Sequence, residues 1–259
     1  MCRDPHYDDL DSLYRAIWGS SLHHGVWLEG NENIEEALKN LINLVTSQLP
    51  NEGTFADIGC GYGALAHHLV DKRNCRVLAC TRSSKQAALI PTHPSIEILS
   101  GDWLEQELEA ESLGAAVAIE SLSHFSNFNE FLANTSSTLK PGGRLVIADW
   151  FSDDGETPLL RHLASSGNLP PWRSLSSLFS SAKAHKLLPI RSLDLSRQVA
   201  PTWSHFFCKT LLLPFRKPSL LPRLLIESLR RPALSWSFPL LRLAYQNGDL
   251  QYNLVILEK

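Results

Sequence analysis

The stretch "FADIGCGYGALAHHL", Phe55–Leu69, sets an acid, Asp57, at the end of a short apolar run and follows it with glycines at alternate positions, Gly59, Gly61 and Gly63. Glycine lets the backbone turn sharply and come close to a ligand, because no Cβ stands in the way. The run therefore reads as strand, glycine loop and helix, with "GALAHHLVDK" as the helix. A P-loop needs Lys and then Ser or Thr after its glycines, and Gly63 is followed by Ala64 and Leu65. A dinucleotide fold expects GxGxxG and an acid about twenty residues further on. GxGxG is a different spacing.

Outward from this loop, strands and helices alternate. "RVLAC" is a second strand, "SSKQAALI" a helix opened by a serine cap, "IEILSGD" a third strand and "AAVAIES" a fourth. "FNEFLANTSSTL" is the next helix, "KPGG" the turn that ends it, and "RLVIADW" a fifth strand, apolar throughout as expected of one covered on both faces. Upstream, Ile34–Leu49 repeats apolar residues every three or four positions, with acids in its first turn and Pro50 as its stop, so residues 7–50 read as helical. Strands alternating with helices give an α/β fold with a doubly wound, mostly parallel sheet, whose ligands bind beyond the carboxyl ends of the strands. After Trp150 the rhythm breaks. Residues 153–245 hold most of the prolines and show no clear strand before Tyr252–Glu258 closes the chain. The expected organisation is one domain: a helical cap (1–50), a cofactor-binding core (51–152), a helical lid (153–247) and a final strand (248–259).

A chain of 259 residues, 44% hydrophobic and 20% charged, can bury one enzyme-sized core. Its net charge of -3 gives no reason to expect a nucleic-acid partner. Five cysteines without a CxxC pair suggest reduced thiols in a cytosolic setting. The pairs His23-His24 and His67-His68 have no metal-ligand spacing around them, so no metal is expected. No apolar run reaches the ~20 residues that cross a bilayer, and the chain opens at Arg3 and Asp4 without a targeting-like segment. Charge is nevertheless uneven: from Lys209 to Arg242 seven basic residues face one acid, Glu227, among many leucines. Such a stretch suits peripheral contact with a membrane surface, or a cover over a greasy substrate.

GxGxG preceded by an acid is the pattern of S-adenosylmethionine-dependent methyltransferases. The chain resembles the small-molecule methyltransferases that include gamma-tocopherol and sterol C-methyltransferases. The resemblance runs through "YDDLDSLYRAIWGSSLHHGVW" (Tyr7–Trp27), "DIGCGYG", "CTRSSKQ" (Cys80–Gln86), "AIESLSHF" (Ala118–Phe125) and "LKPGGRLVIADW" (Leu139–Trp150). The carboxyl-terminal "VAPTW" and "YQNGDLQYNLVILEK" are similar to the plant tocopherol enzymes and their relatives, among them alkaloid N-methyltransferases. The resemblance implies a Rossmann-like class I methyltransferase fold with S-adenosyl-L-methionine as cofactor.

On that reading Gly59, Gly61 and Gly63 approach the cofactor, and Asp57 receives its ammonium directly or through water. Many methyltransferases end the second strand with an acid for the ribose; here stands Thr81-Arg82-Ser83, and the resemblance implies contacts from Thr81 and Gln86 instead. Gly101-Asp102-Trp103 ends the third strand, where Asp102 can accept from the adenine amino group and Trp103 can cover the ring. Glu120 touches the cofactor or supports its loop. Tyr7, Tyr14 and Trp18 lie in the segment that the resemblance places over the cofactor, where rings attract a sulfonium, although each also suits helix packing.

Methyl transfer from a sulfonium is an in-line displacement, dominated by alignment in a dry pocket. A base helps when the acceptor is a phenol or a ring carbon. His124 and Asp149 fall on the carboxyl edge of the sheet, and the resemblance puts His24, with His23, at the mouth of the site. Phe206, Phe207, Leu211–Leu213, Leu220, Leu221 and Trp236 make the lid apolar enough to enclose a hydrophobic small-molecule acceptor. Carbon methylation of a prenylated phenol is the expected reaction. Nitrogen or oxygen methylation of an aromatic natural product, and a non-catalytic cofactor-binding subunit, are the alternatives.

Overall fold

The computed structural model describes residues 5–125, 127–153, 157–167, 172–230 and 232–259, with the side chains of 5–9, 164–167 and 232–236 excepted. The side chains of Tyr7 and Trp236, and all of Cys2, Arg3, Asp4 and Arg231, therefore lie outside the described residues.

Seven strands form one sheet: β1 (Glu52–Ile58), β2 (Asn74–Thr81), β3 (Ile96–Ser100), β4 (Leu113–Ile119), β5 (Leu139–Phe151), β6 (Leu188–Asp194) and β7 (Gln251–Glu258). Their order is β3-β2-β1-β4-β5-β7-β6. The first five are parallel, and β7 runs antiparallel to both β5 and β6. Chain order reverses at β1 and β4, which is where an open α/β sheet splays its connections and leaves room for a ligand.

Side-chain alternation along the strands builds two cores. Phe55, Val77, Val117, Val146 and Ile256 face one side with helices α1 (Pro5–Ile17), α2 (Ile34–Thr46) and α3 (Ala64–Lys72). Their neighbours Ala56, Leu78, Ala116, Leu145 and Leu257 face the other, where α5 (Phe128–Thr138), after the short α4 (Ser84–Leu89), supplies Phe131 and Leu132. The carboxyl-terminal half adds α6 (Pro158–Gly167), α7 (Leu175–Ala184), α8 (Ser196–Val199), α9 (Pro201–Arg216), α10 (Leu221–Arg230) and α11 (Pro232–Asn247). Of these, α7 joins the second core through Leu178 and Ala182, whereas α9 and α11 join the first through Phe206, Leu213 and Leu241.

Three expectations are corrected. Residues 153–245 contain a strand, β6, which "LPIRSLD" concealed: on the edge of the sheet it is largely exposed, so no apolar run marks it. The segment 7–50 is not helical throughout, since 18–33 is an irregular stretch between α1 and α2. "KPGG" does not precede the fifth strand but bulges within it: Leu113 pairs with Leu139, and the next register is Ala115 with Arg144.

Burial makes the strands unequal. Leu145→Ala, in a site closed on both sides of the sheet, should lower unfolding free energy by about 2–5 kcal/mol, whereas Leu188→Ala, 60% exposed on the edge strand, should change it by about 0.5 kcal/mol or less. Urea unfolding of both variants checks the contrast, and equal losses would contradict it.

Candidate functional site

A cleft opens at the carboxyl ends of β1, β2 and β4, lined by the glycine loop, by Thr81–Ser83, Gln86, Gly101 and Trp103, and by Ile119–Ser121 with His124 and Phe125. The loop is shaped by close contact. Gly59, at φ +79°, sits so near Ser121 that a Cβ would lie 2.5 Å from the serine Cβ, and Gly63, at φ +81°, would meet Ile90 at 2.9 Å. Gly61, at φ +54°, has nothing within 4 Å of the Cβ position, so the loop is bare on the side where it borders the cleft. Ser121 donates from its hydroxyl to the Ile58 carbonyl at 2.8 Å, and Gly59 and Cys60 donate from their amides to Cys80, which ties the ends of β1, β2 and β4 together.

Asp57 lies beneath this loop and is not part of the cleft wall. It is 3% exposed, takes a hydrogen bond from the Ala66 amide, and leaves Oδ2 without a partner among the described residues. Burial pushes its carboxyl up to about 7. A buried acceptor without a donor is costly unless a ligand supplies one.

The far end is set by β2 and β3. Thr81 donates to Gln86 Oε1 at 2.9 Å and accepts from the Ser83 amide, while the Ser83 hydroxyl caps α4. Gly101, at φ +152°, hydrogen-bonds to the Thr81 carbonyl. Asp102 caps the turn at Trp103 through the Leu104 amide and approaches Arg82 at 3.7 Å. Trp103 is buried, donates to Thr135 at 3.1 Å and lends its ring to the cleft. Arg82, where an acid stands in many methyltransferases, also donates to the His124 carbonyl at 3.3 Å.

Glu120, first residue after β4, closes the opposite wall with a left-handed backbone, φ +50°. That conformation costs a non-glycine residue roughly 1–2 kcal/mol. Its Oε1 accepts from the His24 amide at 2.7 Å, from His24 Nδ1 at 2.9 Å and from the Tyr252 hydroxyl at 2.8 Å. Burial alone would raise the Glu120 pKa, but the neighbouring His24, its hydrogen bonds and His23 outweigh this and hold it below the usual carboxylate value. On its other side, His24 Nε2 lies 3.3 Å from the Tyr245 hydroxyl. Rings of Trp150, Trp203, Tyr245 and Tyr252 surround the imidazole.

His24 and Asp149 thus lie behind the cleft rather than on it. Asp149 is buried, accepts from the Leu122 and Trp150 amides at 2.9 and 2.8 Å, and so fixes the turn that carries His124. Burial pushes it, too, up to about 7. His124 lines the cleft. Trp18 stacks on Phe206 at 4.5 Å, away from the cleft wall. Leu22, Arg82, Ser83, Ser121 and Phe125 line the cleft without having been singled out from the sequence. Ser83 and Ser121 had a signal, since each stands just past the end of a strand. Among the described residues no cluster of His, Cys, Asp or Glu could hold a metal.

Residues 56–147 match the methyltransferase domain family. The chain is 25% identical over 228 residues to tocopherol O-methyltransferase, chloroplastic, of Arabidopsis thaliana, covering 76% of this chain and 66% of that one. It is 28% identical over 211 residues to 27-O-demethylrifamycin SV methyltransferase of Amycolatopsis mediterranei, covering 76% and 78%. The chain spans between 56% and 66% of the length of the first curated relatives it matches. Among solved structures, the cyclopropane synthase MmaA2 of Mycobacterium tuberculosis superimposes with a TM-score of 0.83 over 98% of this chain and 95% of that one, at 18% identity. The fold is the Rossmann-like one of class I methyltransferases. Fold alone does not fix the reaction, for the [4+2]-cyclase SpnF shares it at a TM-score of 0.78.

The buried carboxyls give stability a definite pH slope. Asp57 titrates near 3.8 when exposed and about 7 when folded, so between these values the folded chain holds the extra proton. The Asp57 contribution to stability therefore falls as pH rises from about 4 to about 7 and levels off above, and Asp149 adds a slope of the same sign, while His23, whose pKa burial lowers, slopes the other way. Asp57→Asn should remove one share of that fall and exceed the parent at pH 8 by up to about 4 kcal/mol. A difference between the two proteins that stays constant from pH 4 to pH 8 in urea unfolding would refute this.

Proposed function

We propose that this chain is an S-adenosylmethionine-dependent methyltransferase acting on a hydrophobic small molecule. The observation that carries the reading is the pairing of a glycine loop bare on its cleft side with an orphaned, buried carboxylate oxygen beneath it. The donor set fits the cofactor: carboxylates for the ammonium and the adenine amine, hydroxyl and amide groups for the ribose, and an indole face for the base. When bound, S-adenosylmethionine supplies an electrophilic methyl group on a sulfonium.

The chain's own residues do the rest by holding and drying. Gly59–Gly63 admit the cofactor's backbone-facing side, and Asp57 offers Oδ2 from below the loop, directly or through water. Thr81, Gln86 and Asp102 order the β2 and β3 ends, and Trp103 covers the ring. Glu120 keeps a negative charge at the wall, where a cation is favoured. Leu22, Ile119 and Phe125 exclude water beside it. His124 accepts the proton that an acceptor hydroxyl or ring carbon gives up. Asp149 and His24 are positioning residues: the first sets the His124 turn, the second orients Glu120. The resemblance puts Tyr7 and Trp18 on the cofactor side of the cap, although the Trp18 ring stacks on Phe206.

Carbon methylation of a prenylated phenol of the tocopherol type is the specific reaction we favour, from the resemblance at both ends of the chain. Oxygen methylation is the second reading, favoured by a relative named tocopherol O-methyltransferase and another named 27-O-demethylrifamycin SV methyltransferase.

Incubation with methyl-labelled S-adenosylmethionine and a panel of prenylated quinols, phenols and cyclic amines should label the organic extract. Label on a ring carbon supports the first reading and label on oxygen the second; cofactor binding with no label in any acceptor would count against catalysis. Asp57→Ala should weaken cofactor binding in calorimetry by about tenfold or more, on the ~1.5–3 kcal/mol of a hydrogen bond to a charged group. His124→Ala should slow single turnover by about a hundredfold while leaving that affinity unchanged. Equal single-turnover rates would remove His124 from the mechanism.

A further inference from the structure

Helix α9 begins at the cleft's rear wall and ends in solvent. At its start the Thr202 hydroxyl accepts from the Gly25 amide, next to His24, and Trp203 and Phe206 are buried. The helix is sixteen residues long, about 24 Å, and its last residue but one, Phe215, is 83% exposed. A single turn, Pro218–Leu220, joins α9 to α10, in which no residue is buried. Leu220 and Leu224 pack against the main core. Leu221, Leu225 and Leu229, one helical turn apart and so on one face, point to solvent, Leu229 as exposed as Phe215. Leu211 and Leu212 of α9 are exposed as well. Nothing in the core needs such a surface, and solvent opposes it.

Charge identifies what covers it. From Lys209 to Arg230 there are five basic residues and one acid, Glu227, which lies 3.6 Å from Arg230. Arg216, Lys217 and Arg223 are exposed beside the leucines. Two copies of this face would bring like charges together, whereas an apolar stripe flanked by cations suits the boundary between anionic headgroups and acyl chains. Among the described residues no helix is long and apolar enough to cross a membrane, so any such helix lies on the surface.

We propose that the end of α9 together with α10 is a docking face for an anionic lipid bilayer, with Phe215 and Leu229 entering the acyl boundary and Arg216, Lys217 and Arg223 meeting the headgroups. The face is separate from the cleft, and the proposal does not depend on methyl transfer. It also gives α9 a second task, because the same helix runs from the lipid contact to the residues behind Glu120.

The test is flotation with vesicles of equimolar phosphatidylcholine and phosphatidylglycerol, compared with phosphatidylcholine alone. The protein should float with the anionic vesicles and be released near 1 M salt, where the Debye length falls to about 3 Å. The double variant Phe215→Glu with Leu229→Glu should lose roughly tenfold or more in partitioning, and Arg216→Gln with Lys217→Gln about thirtyfold. Circular dichroism and urea unfolding of the same variants, expected to be unchanged, show that they are folded. Failure to float, flotation equal on both vesicles, or variants that float like the parent would overturn the proposal. So would a dimer in sedimentation that the Phe215 and Leu229 changes dissolve, since the face would then belong to a second copy.

Discussion

One carboxylate oxygen holds three parts of the chain at the site. Glu120 Oε1 receives the amide and the imidazole of His24, from the irregular segment between α1 and α2, and the hydroxyl of Tyr252, from β7. His24 in turn reaches Tyr245 of α11. The cap, the carboxyl edge of β4 and the last strand are thus fixed relative to each other through a group that is itself held in a left-handed backbone. Breaking any one donor would leave a buried carboxylate short of a partner, the costly way to disrupt such a network. The cleft wall is therefore only as well placed as this junction.

The same logic separates the residues that face the cleft from those behind it. Asp149 and His24 spend their hydrogen bonds on the protein, at the Leu122 and Trp150 amides and at Glu120 and Tyr245. Glycines 59 and 61, Thr81, Gln86, Trp103, Glu120 and His124 border open space. Asp57 is intermediate, with one oxygen satisfied by the Ala66 amide and the other left for whatever the loop holds. In energetic terms one unpartnered carboxylate oxygen, Asp57 Oδ2, lies at the switch point between β1 and β4, while the Thr81, Trp103 and Glu120 side chains around the cleft are held by protein hydrogen bonds.

The carboxyl-terminal half is less uniform. Its inner residues, such as Phe206, Leu213 and Leu241, complete the first core, while α10 contributes nothing buried. A segment so apolar yet so little packed has more surface than the fold requires. Its composition, leucines among cations, is legible along the chain as a charge imbalance. Which leucines turn outward depends instead on how α9 and α10 seat against the core.

Local patterns in the sequence determined the parallel half of the sheet, the glycine loop and the helices capped by Asn33, Ser83 and Asn127. These features are local because apolar runs, turn glycines and caps act over a few residues. The sequence also named half of the residues that line the cleft, since residues just past strand ends fall there in any doubly wound sheet. Edge strand β6 escaped because exposure removes the apolar run that marks a strand, and the bulge at "KPGG" escaped because register is a property of the partner strand. Only the tertiary structure decided that His24 and Asp149 face inward, that Tyr252 bonds Glu120, and that one oxygen of Asp57 has no donor among the described residues. The bonds of His24 and Tyr252 join residues 96 to 221 positions apart, the rest depends on burial from several elements at once, and no spacing along the chain encodes them.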